Sequence, residues 1–268
     1  MEVFDDIIQS YIKKESLAPY KSLWFYQEEG YSFHDPDSSN ERIEIIKRIY
    51  QEIQKTVLNF IPANIQIWDA LFKDWHTIIN HVKVNLIIGY SEPNDATVMN
   101  NLQGDSEVIF DLGCWVKYYG KCNISEVVHN LLTHELCHVC INKLIPNISE
   151  AIESNDYVTN LDANTFHEGF AHLVSYNDKN IDEVDWNSEQ MQLYKMNAKK
   201  TMKEAFKEEN RIKQKDYLYK AIYGSYYDKY ACMAAMFFLA DIWKKQGVVG
   251  LEKVFGQGYI GFAGKTVQ

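Results

Sequence analysis

The stretch HELCHVC, residues 134 to 140, contains the residue types of a catalytic metal site. His134 and His138 are four residues apart, so on a helix they lie on one face, one turn from each other. Two imidazoles in that arrangement can both reach one ion at about 2.0–2.1 Å, the usual zinc–nitrogen distance. Glu135 is rotated by about 100° from His134 and can stand beside the metal as a general base. This HExxH spacing predicts a zinc site in which Glu135 takes a proton from zinc-bound water.

A buried helix with two core histidines is the alternative interpretation of the same stretch. The flanking residues NLLT and VCI are uncharged and contain no proline, as a buried active-site helix requires, because an unpaired charge in a core is costly. Cys137 and Cys140 form a CxxC within this helix, which could indicate a redox or structural-metal site. Since the chain has no second CxxC, we expect these two cysteines to be packing residues.

A third protein ligand is needed for a catalytic zinc that keeps one position open for water. The segment FHEGFAHL, residues 166–173, supplies Glu168 on a second predicted helix, and Gly169 beside it would let two helices approach closely. His172 follows Glu168 by four residues on the same face, so it is either the third ligand or a partner that supports one. His167 points to another face, and we expect it at the helix surface or against a loop.

The combination of HExxH with a following Glu-Gly-x-Ala resembles the gluzincin metallopeptidases, and among them the aminopeptidase N family. The resemblance covers roughly residues 105–245, and several uncharacterised families of proposed zinc peptidases share the same two motifs. It implies a thermolysin-like zincin domain, with His134, His138 and Glu168 as zinc ligands and Glu135 as the base. The loop between the motifs is longer here, and no Gly-x-Met-Glu-Asn segment precedes the first motif. That absence puts aminopeptidase specificity in doubt.

A hydroxyl that could stabilise the tetrahedral oxyanion is implied by the same resemblance. The aminopeptidases carry Tyr-x-Lys-Gly-Ala at the start of a helix, and residues 227–231 read Tyr-Asp-Lys-Tyr-Ala. Tyr227 is therefore the expected donor. Tyr223, Tyr226 and Tyr230 compete for the role, because the chain has 18 tyrosines and several lie in this segment.

These motifs predict a zinc-dependent peptidase whose partner is a peptide or protein substrate. One alternative is a catalytically silent zinc-binding interaction module, against which the intact Glu135 argues. The other is a zinc hydrolase of a non-peptide substrate, since the same site opens epoxides in one relative of the aminopeptidases. The chain has no Gly-rich phosphate loop and no GxSxG nucleophile motif.

Composition narrows the class of partner. The net charge of −10 argues against nucleic acid or an anionic membrane, because both require a basic face. The acidic, amphipathic start MEVFDDIIQSYIKK lacks the features of a secretory signal, and no apolar run reaches the length of a membrane span. Five scattered cysteines do not form a recognisable disulfide framework, so we predict a reducing, cytoplasmic setting.

The order of elements predicts a mostly helical α+β fold with a small sheet. Residues 1–80 are expected to form an N-terminal helical region packed on a catalytic domain of residues 81–268. Strands are predicted at 81–90 and 106–116, with a turn-rich segment at 91–95. The segment 107–115 is our candidate for an edge strand that pairs with an extended peptide. Long helices are predicted at 38–61, 125–145 and 164–176, and a last one that ends at Gly247. Residues 187–220 are predicted to be helical, with the charged run 195–216 as a solvated helix or helix pair.

Overall fold

The computed structural model describes residues 1–28, 31–90 and 95–267. The chain divides into two compact units, each made of two segments. Unit 1 comprises Met1–Pro62 and His76–Val139, and unit 2 comprises Ala63–Trp75 and Cys140–Gln268. The helix that carries the HExxH motif is continuous across residues 139 and 140. The predicted division at residue 80 stays a prediction, and the limits of the two units differ from it.

Unit 1 contains a mixed sheet whose described strands follow the order β1-β2-β4-β3. The strands are β1 Glu2–Phe4, β2 Lys83–Ile87, β3 Ala96–Asn100 and β4 Ser106–Asp111. β1, β2 and β4 run parallel, and β3 pairs with β4 in the antiparallel direction. Val84, opposite Val108 in the β2–β4 register, is fully buried, as the apolar sequence of both strands predicts.

Two strand predictions are confirmed in position, and three details are wrong. β2 and β4 lie within the predicted segments, but β4 is a central strand, flanked by β2 and β3, rather than an edge. Residues 2–4 form a strand where the sequence predicts helix, because three residues can complete a sheet edge without a periodic pattern of their own. β3 was not predicted at all. Most of the predicted turn at 91–95 lies outside the described residues.

The helices of unit 1 include α1 Asp6–Ile12, α2 Asn40–Leu58, α5 Leu112–Trp115 and most of α6 Ile124–Leu144. α4, Trp75–Asn80, begins at the last residue of the first segment of unit 2. α2 buries a stripe of isoleucines, Ile43, Ile46, Ile49 and Ile53, whereas Ile61, the last residue of the predicted helix, lies beyond its end and is 62% exposed. Ser39 caps α2 by accepting a hydrogen bond from the Arg42 amide, so the helix starts close to the predicted residue 38.

The regular elements described in unit 2 are all helices. Its elements are α3 Ile65–Leu71, α7 Ile148–Ile152, α8 Tyr157–Ser175, α9 Glu189–Phe206, α10 Arg211–Ile222, α11 Tyr230–Gly256 and α12 Phe262–Thr266. The rings of Phe166, Phe170, Phe255 and Phe262 form its aromatic core, with neighbouring centroids 4.8–6.3 Å apart. Asp162 fixes α12 by accepting from the backbone amides of Gly261 and Ala263.

The break predicted at Gly247 is present, but helix resumes after it. Gly247 has φ 59° and ψ −151°, which interrupts the helical backbone within Tyr230–Gly256. Short 3₁₀ segments connect the other elements at Ala18–Tyr20, Trp24–Tyr26, Val116–Tyr118, Tyr176–Asp178, Ile181–Glu183 and Tyr226–Asp228. The helices and the small sheet together confirm the predicted α+β class. Among the described residues, no helix has the length and apolar character needed to cross a bilayer.

Candidate metal centre

The HExxH motif lies on α6, in a part of the helix that is largely buried. Its N-terminus is capped by Asn123, whose side-chain oxygen accepts from the Ser125 amide at 3.1 Å. The helix begins at Ile124, one residue before the predicted range of 125–145. From Leu132 to Ile141 every side chain except that of His134 is buried, which the uncharged flanks of the motif predict.

The two histidines of the HExxH motif present ring nitrogens to each other within unit 1. The Nε2 atoms of His134 and His138 are 3.0 Å apart, and the rings are nearly perpendicular at 88°. Two nitrogens bound tetrahedrally to one zinc at about 2.0–2.1 Å would be about 3.3 Å apart. The pair is therefore close to the separation that a shared zinc requires, and neutral imidazole is a ligand that zinc prefers.

Glu135 lies beside this pair on the same helix and is only 7% exposed. A buried carboxylate is expensive unless other groups interact with it. If this position served only to pack the core, an apolar residue would be expected there. The position fits a carboxylate that moves protons next to a bound metal.

In unit 2, α8 carries the second group of candidate ligands. Asp156 caps α8 by accepting from the Thr159 amide at 2.9 Å, so this helix starts earlier than the predicted residue 164. Glu168 Oε2 lies 3.5 Å from His172 Nε2, one turn later on the helix. Ligand atoms of His167 and Glu168 are also within 4.8 Å of each other. All three side chains are therefore candidates for holding a metal.

His167 is not at the surface, contrary to the prediction. It is 9% exposed, and its Nε2 atom lies 2.9 Å from Oδ1 of Asn142, in the last turn of α6. Since the amide oxygen accepts, His167 donates from Nε2. Asn142 thereby links the end of the HExxH helix to the residue beside Glu168, within unit 2.

Gly169 allows close packing of α8 against α11, as the sequence predicted. A Cβ atom on Gly169 would lie 2.3 Å from the Cβ of Ala235 and 3.4 Å from its Cα. Real Cβ atoms do not approach so closely, so only glycine fits at this crossing. One consequence is that α11 side chains reach the residue next to Gly169.

Cys232 of α11 is such a side chain. Its Sγ atom is fully buried, 3.9 Å from Glu168 Oε2 and 3.4 Å from the carbonyl oxygen of Ala221. Burial, and next the neighbouring Glu168 carboxylate, raise the pKa of this thiol well above its usual value. Cys232 is therefore a neutral thiol in the metal-free protein, able to donate one weak hydrogen bond.

Tyrosines gather beside His172 in unit 2. The ring of Tyr226 meets that of His172 edge-on at 5.2 Å. Tyr227 stacks on Tyr194 at 3.8 Å, and its hydroxyl lies 2.7 Å from the hydroxyl of Tyr176. Burial is the main cause that raises the pKa of Tyr226 and of Tyr176 above the ordinary tyrosine range. Both hydroxyls therefore keep their protons at neutral pH and can donate.

Each unit thus brings together part of the predicted set. Unit 1 holds His134, Glu135 and His138 on one helix, and unit 2 holds Glu168 near His172. Tyr227 lies in unit 2 within the tyrosine cluster. Sequence reasoning missed the contributions of Asn142, Cys232, Tyr176 and Tyr194. The helical spacing of Asn142 from His138, four residues, is the one signal that could have indicated any of them.

Comparison with known proteins identifies one family. The family described as "Putative zinc dependent peptidase (DUF5700)" matches residues 4–237, which is most of the chain, and the chain belongs to this family. Its description suggests a protease that depends on zinc. No curated protein and no solved structure matches the chain.

Proposed function

We propose that this member of the family is a gluzincin-type metallopeptidase with a thermolysin-like catalytic core. In this proposal His134, His138 and Glu168 hold one Zn²⁺, and Glu135 is the general base. The substrate is a peptide or a protein. The observation that carries the proposal is the histidine pair of α6, whose Nε2 atoms are separated by 3.0 Å, beside a buried glutamate.

Two further observations support Glu168 as the third ligand. α6 is one continuous helix, so Asn142 lies one turn beyond His138 on the same stripe. Asn142 in turn contacts His167, the residue before Glu168. Glu168 also supplies the negative charge that a His₂Glu set provides to a divalent ion in catalytic zinc sites. His172, 3.5 Å from Glu168, is then a supporting partner, although its own nitrogen is an alternative ligand.

The bound metal would act as a Lewis acid that makes water a nucleophile at neutral pH and polarises the scissile carbonyl. Glu135 accepts the proton of the attacking water and delivers it to the leaving amine. A tyrosine hydroxyl donates to the oxyanion that forms when water attacks the carbonyl. Tyr227 is the proposed donor, with its ring and hydroxyl oriented by Tyr194 and Tyr176. Tyr226, the tyrosine in contact with His172, is the alternative.

For the substrate backbone we propose β3, in place of the central strand β4. Among the described strands, β3 pairs only with β4, so its other side is an edge to which an extended peptide can add by backbone hydrogen bonds. A small-ester or epoxide substrate would not require such an edge. A substrate panel that includes unfolded proteins, short peptides, esters and epoxides therefore separates the peptidase from the non-peptide hydrolase.

The first experiment is zinc content by mass spectrometry after dialysis against dilute zinc. We expect about one zinc per wild-type chain and clear loss in Glu168→Ala. Glu150→Ala, which removes an exposed glutamate of the neighbouring helix α7, is the matched control and should retain the wild-type content. Absence of zinc from the wild type would mean that His134 and His138 are core histidines of α6 and not metal ligands. Zinc without hydrolysis of any panel member would favour the silent binding module.

A further inference from the structure

The Glu168 carboxylate is held by side chains from two helices. His172, on its own helix α8, and Cys232, on α11, both approach the same oxygen, Oε2, at 3.5 and 3.9 Å. The second contact joins residues that are 64 positions apart. Both side chains are buried, whereas the Glu168 side chain keeps 20% of its surface exposed. The carboxylate is therefore contacted from inside the unit while its side chain stays partly exposed.

The close helix crossing explains how a cysteine reaches this carboxylate. Gly169, next to Glu168, meets Ala235 so closely that no other residue fits. Cys232 is three residues before Ala235, on the same face of α11. A cysteine side chain is short, and at this short separation between the helix backbones it still spans the distance to Oε2.

From this geometry we infer that Cys232 is a positioning residue for Glu168, and through it for the metal. The inference rests on the proposed function, because it assumes that Glu168 binds zinc. The thiol has one proton and two acceptors within reach, Glu168 Oε2 and the Ala221 carbonyl oxygen. Its hydrogen bond therefore alternates between the two acceptors. Holding one carboxylate oxygen restricts rotation of the glutamate side chain. Less rotamer entropy is then lost when the metal binds.

The effect expected is on metal affinity. Groups that orient a metal ligand typically contribute tenfold to hundredfold to affinity, and a thiol is a weak donor. We therefore expect Cys232→Ala to weaken zinc binding about tenfold, the lower end of that range. Cys232→Ser keeps a donor in the position and should recover part of the loss.

The test is the zinc dissociation constant, measured by competition with a chromophoric chelator in the full chain. Cys114→Ala is the matched control, because Cys114 is also a buried cysteine outside any disulfide but lies in α5 of unit 1. We expect Cys114→Ala to bind zinc within about twofold of wild type. Thermal unfolding of the metal-free variants checks that Cys232→Ala and Cys232→Ser are folded. If the alanine variant does not fold, the serine variant alone tests the inference. We then expect its zinc affinity to be lower than that of the wild type by less than about tenfold.

Three results would overturn the inference. Wild-type zinc affinity in Cys232→Ala would show that the thiol does not position Glu168. An equal loss in Cys114→Ala would mean that removal of any buried cysteine has the same effect. A thiolate-to-metal absorption band in the cobalt-substituted wild type that disappears in Cys232→Ser would make Cys232 a ligand instead. If the wild-type chain binds no zinc, the proposed function fails first and the inference with it.

Discussion

The two helices that carry the proposed metal ligands differ in how their ligands are fixed. On α6, the four-residue spacing puts His134 and His138 on one helix face, where their Nε2 atoms are 3.0 Å apart. On α8, Glu168 is one residue from a glycine whose partner, Ala235, is far away in the chain. Its carboxylate is held by His172 and by Cys232 of α11.

The difference shows that contacts within one helix and contacts between helices each position part of the proposed set of ligands. The histidine pair depends on the formation of one helix, which burial of its flanks stabilises. The position of the glutamate depends on the packing of α8 against α11. Damage to that packing should therefore affect Glu168 and leave the histidine pair intact.

The largest expected effect concerns Glu135, the residue of the HExxH motif that we propose as general base and not as a zinc ligand. Glu135→Gln removes the proton acceptor and should lower the hydrolytic rate by about 10²–10⁴-fold, the usual contribution of general acid–base catalysis. Zinc content should not change, because Glu135 is not a proposed ligand. Glu126→Gln, an exposed glutamate on the same helix, is the control and should keep wild-type activity. Full activity in zinc-loaded Glu135→Gln would contradict the proposed mechanism.

The next effect distinguishes the two tyrosines of unit 2. Tyr227→Phe should lower kcat by about 10²–10³-fold with little change in KM, as loss of an oxyanion donor does. Tyr226→Phe keeps the ring that contacts His172 and should change kcat much less. Steady-state kinetics on both variants decides between them. A reversed order would assign the donor role to Tyr226 and leave Tyr227 a packing residue.

A packing mutation tests the comparison between the helices directly. Gly169→Ala places a methyl group 2.3 Å from the Cβ of Ala235, and such overpacking typically costs about 1–3 kcal/mol of the free energy of unfolding. Denaturant unfolding measures this loss. The double variant Gly169→Ala with Ala235→Gly removes the opposing methyl group and should recover part of it. Unchanged stability in Gly169→Ala would mean that the close crossing is not maintained in solution.

The smallest effect is expected in unit 1, at the end of β4. Asp111 accepts from the amides of Tyr90 and Gly113, both at 2.7 Å. Burial nevertheless raises its pKa from 3.8 to about 6. Because the folded-state pKa is the higher one, the folded protein takes up a proton more readily than the unfolded chain as the pH falls through 6. As the pH is lowered from 8 to 5, the free energy of unfolding of the wild type should therefore increase relative to that of Asp111→Asn.

Denaturant unfolding of both proteins at pH 8, 6.5 and 5 checks this sign. A stability difference that is independent of pH would show that the Asp111 pKa is close to its unfolded value. Loss of wild-type stability relative to the variant on acidification would show that the amide hydrogen bonds outweigh burial.

The sequence predicted long helices well and the sheet only in part. The buried stripe of α2 and the two motif helices have clear periodicity over many residues, which local physics is sufficient to determine. β1 has three residues, and β3 has a weak pattern with every residue partly exposed, so neither gives a distinct signal. The central position of β4 follows from pairing with β2 and β3, which are separated from each other along the chain.

The sequence by itself determined the donor types and their spacing on each helix. His134 and His138 share a face because a helix turns every 3.6 residues, and Glu135 follows on its flank. Only the tertiary structure decided that Gly169 meets Ala235, that Cys232 reaches Glu168 and that Asn142 contacts His167. The reason is physical. Contacts within a helix follow from backbone geometry, whereas contacts between helices depend on which faces the whole core buries together.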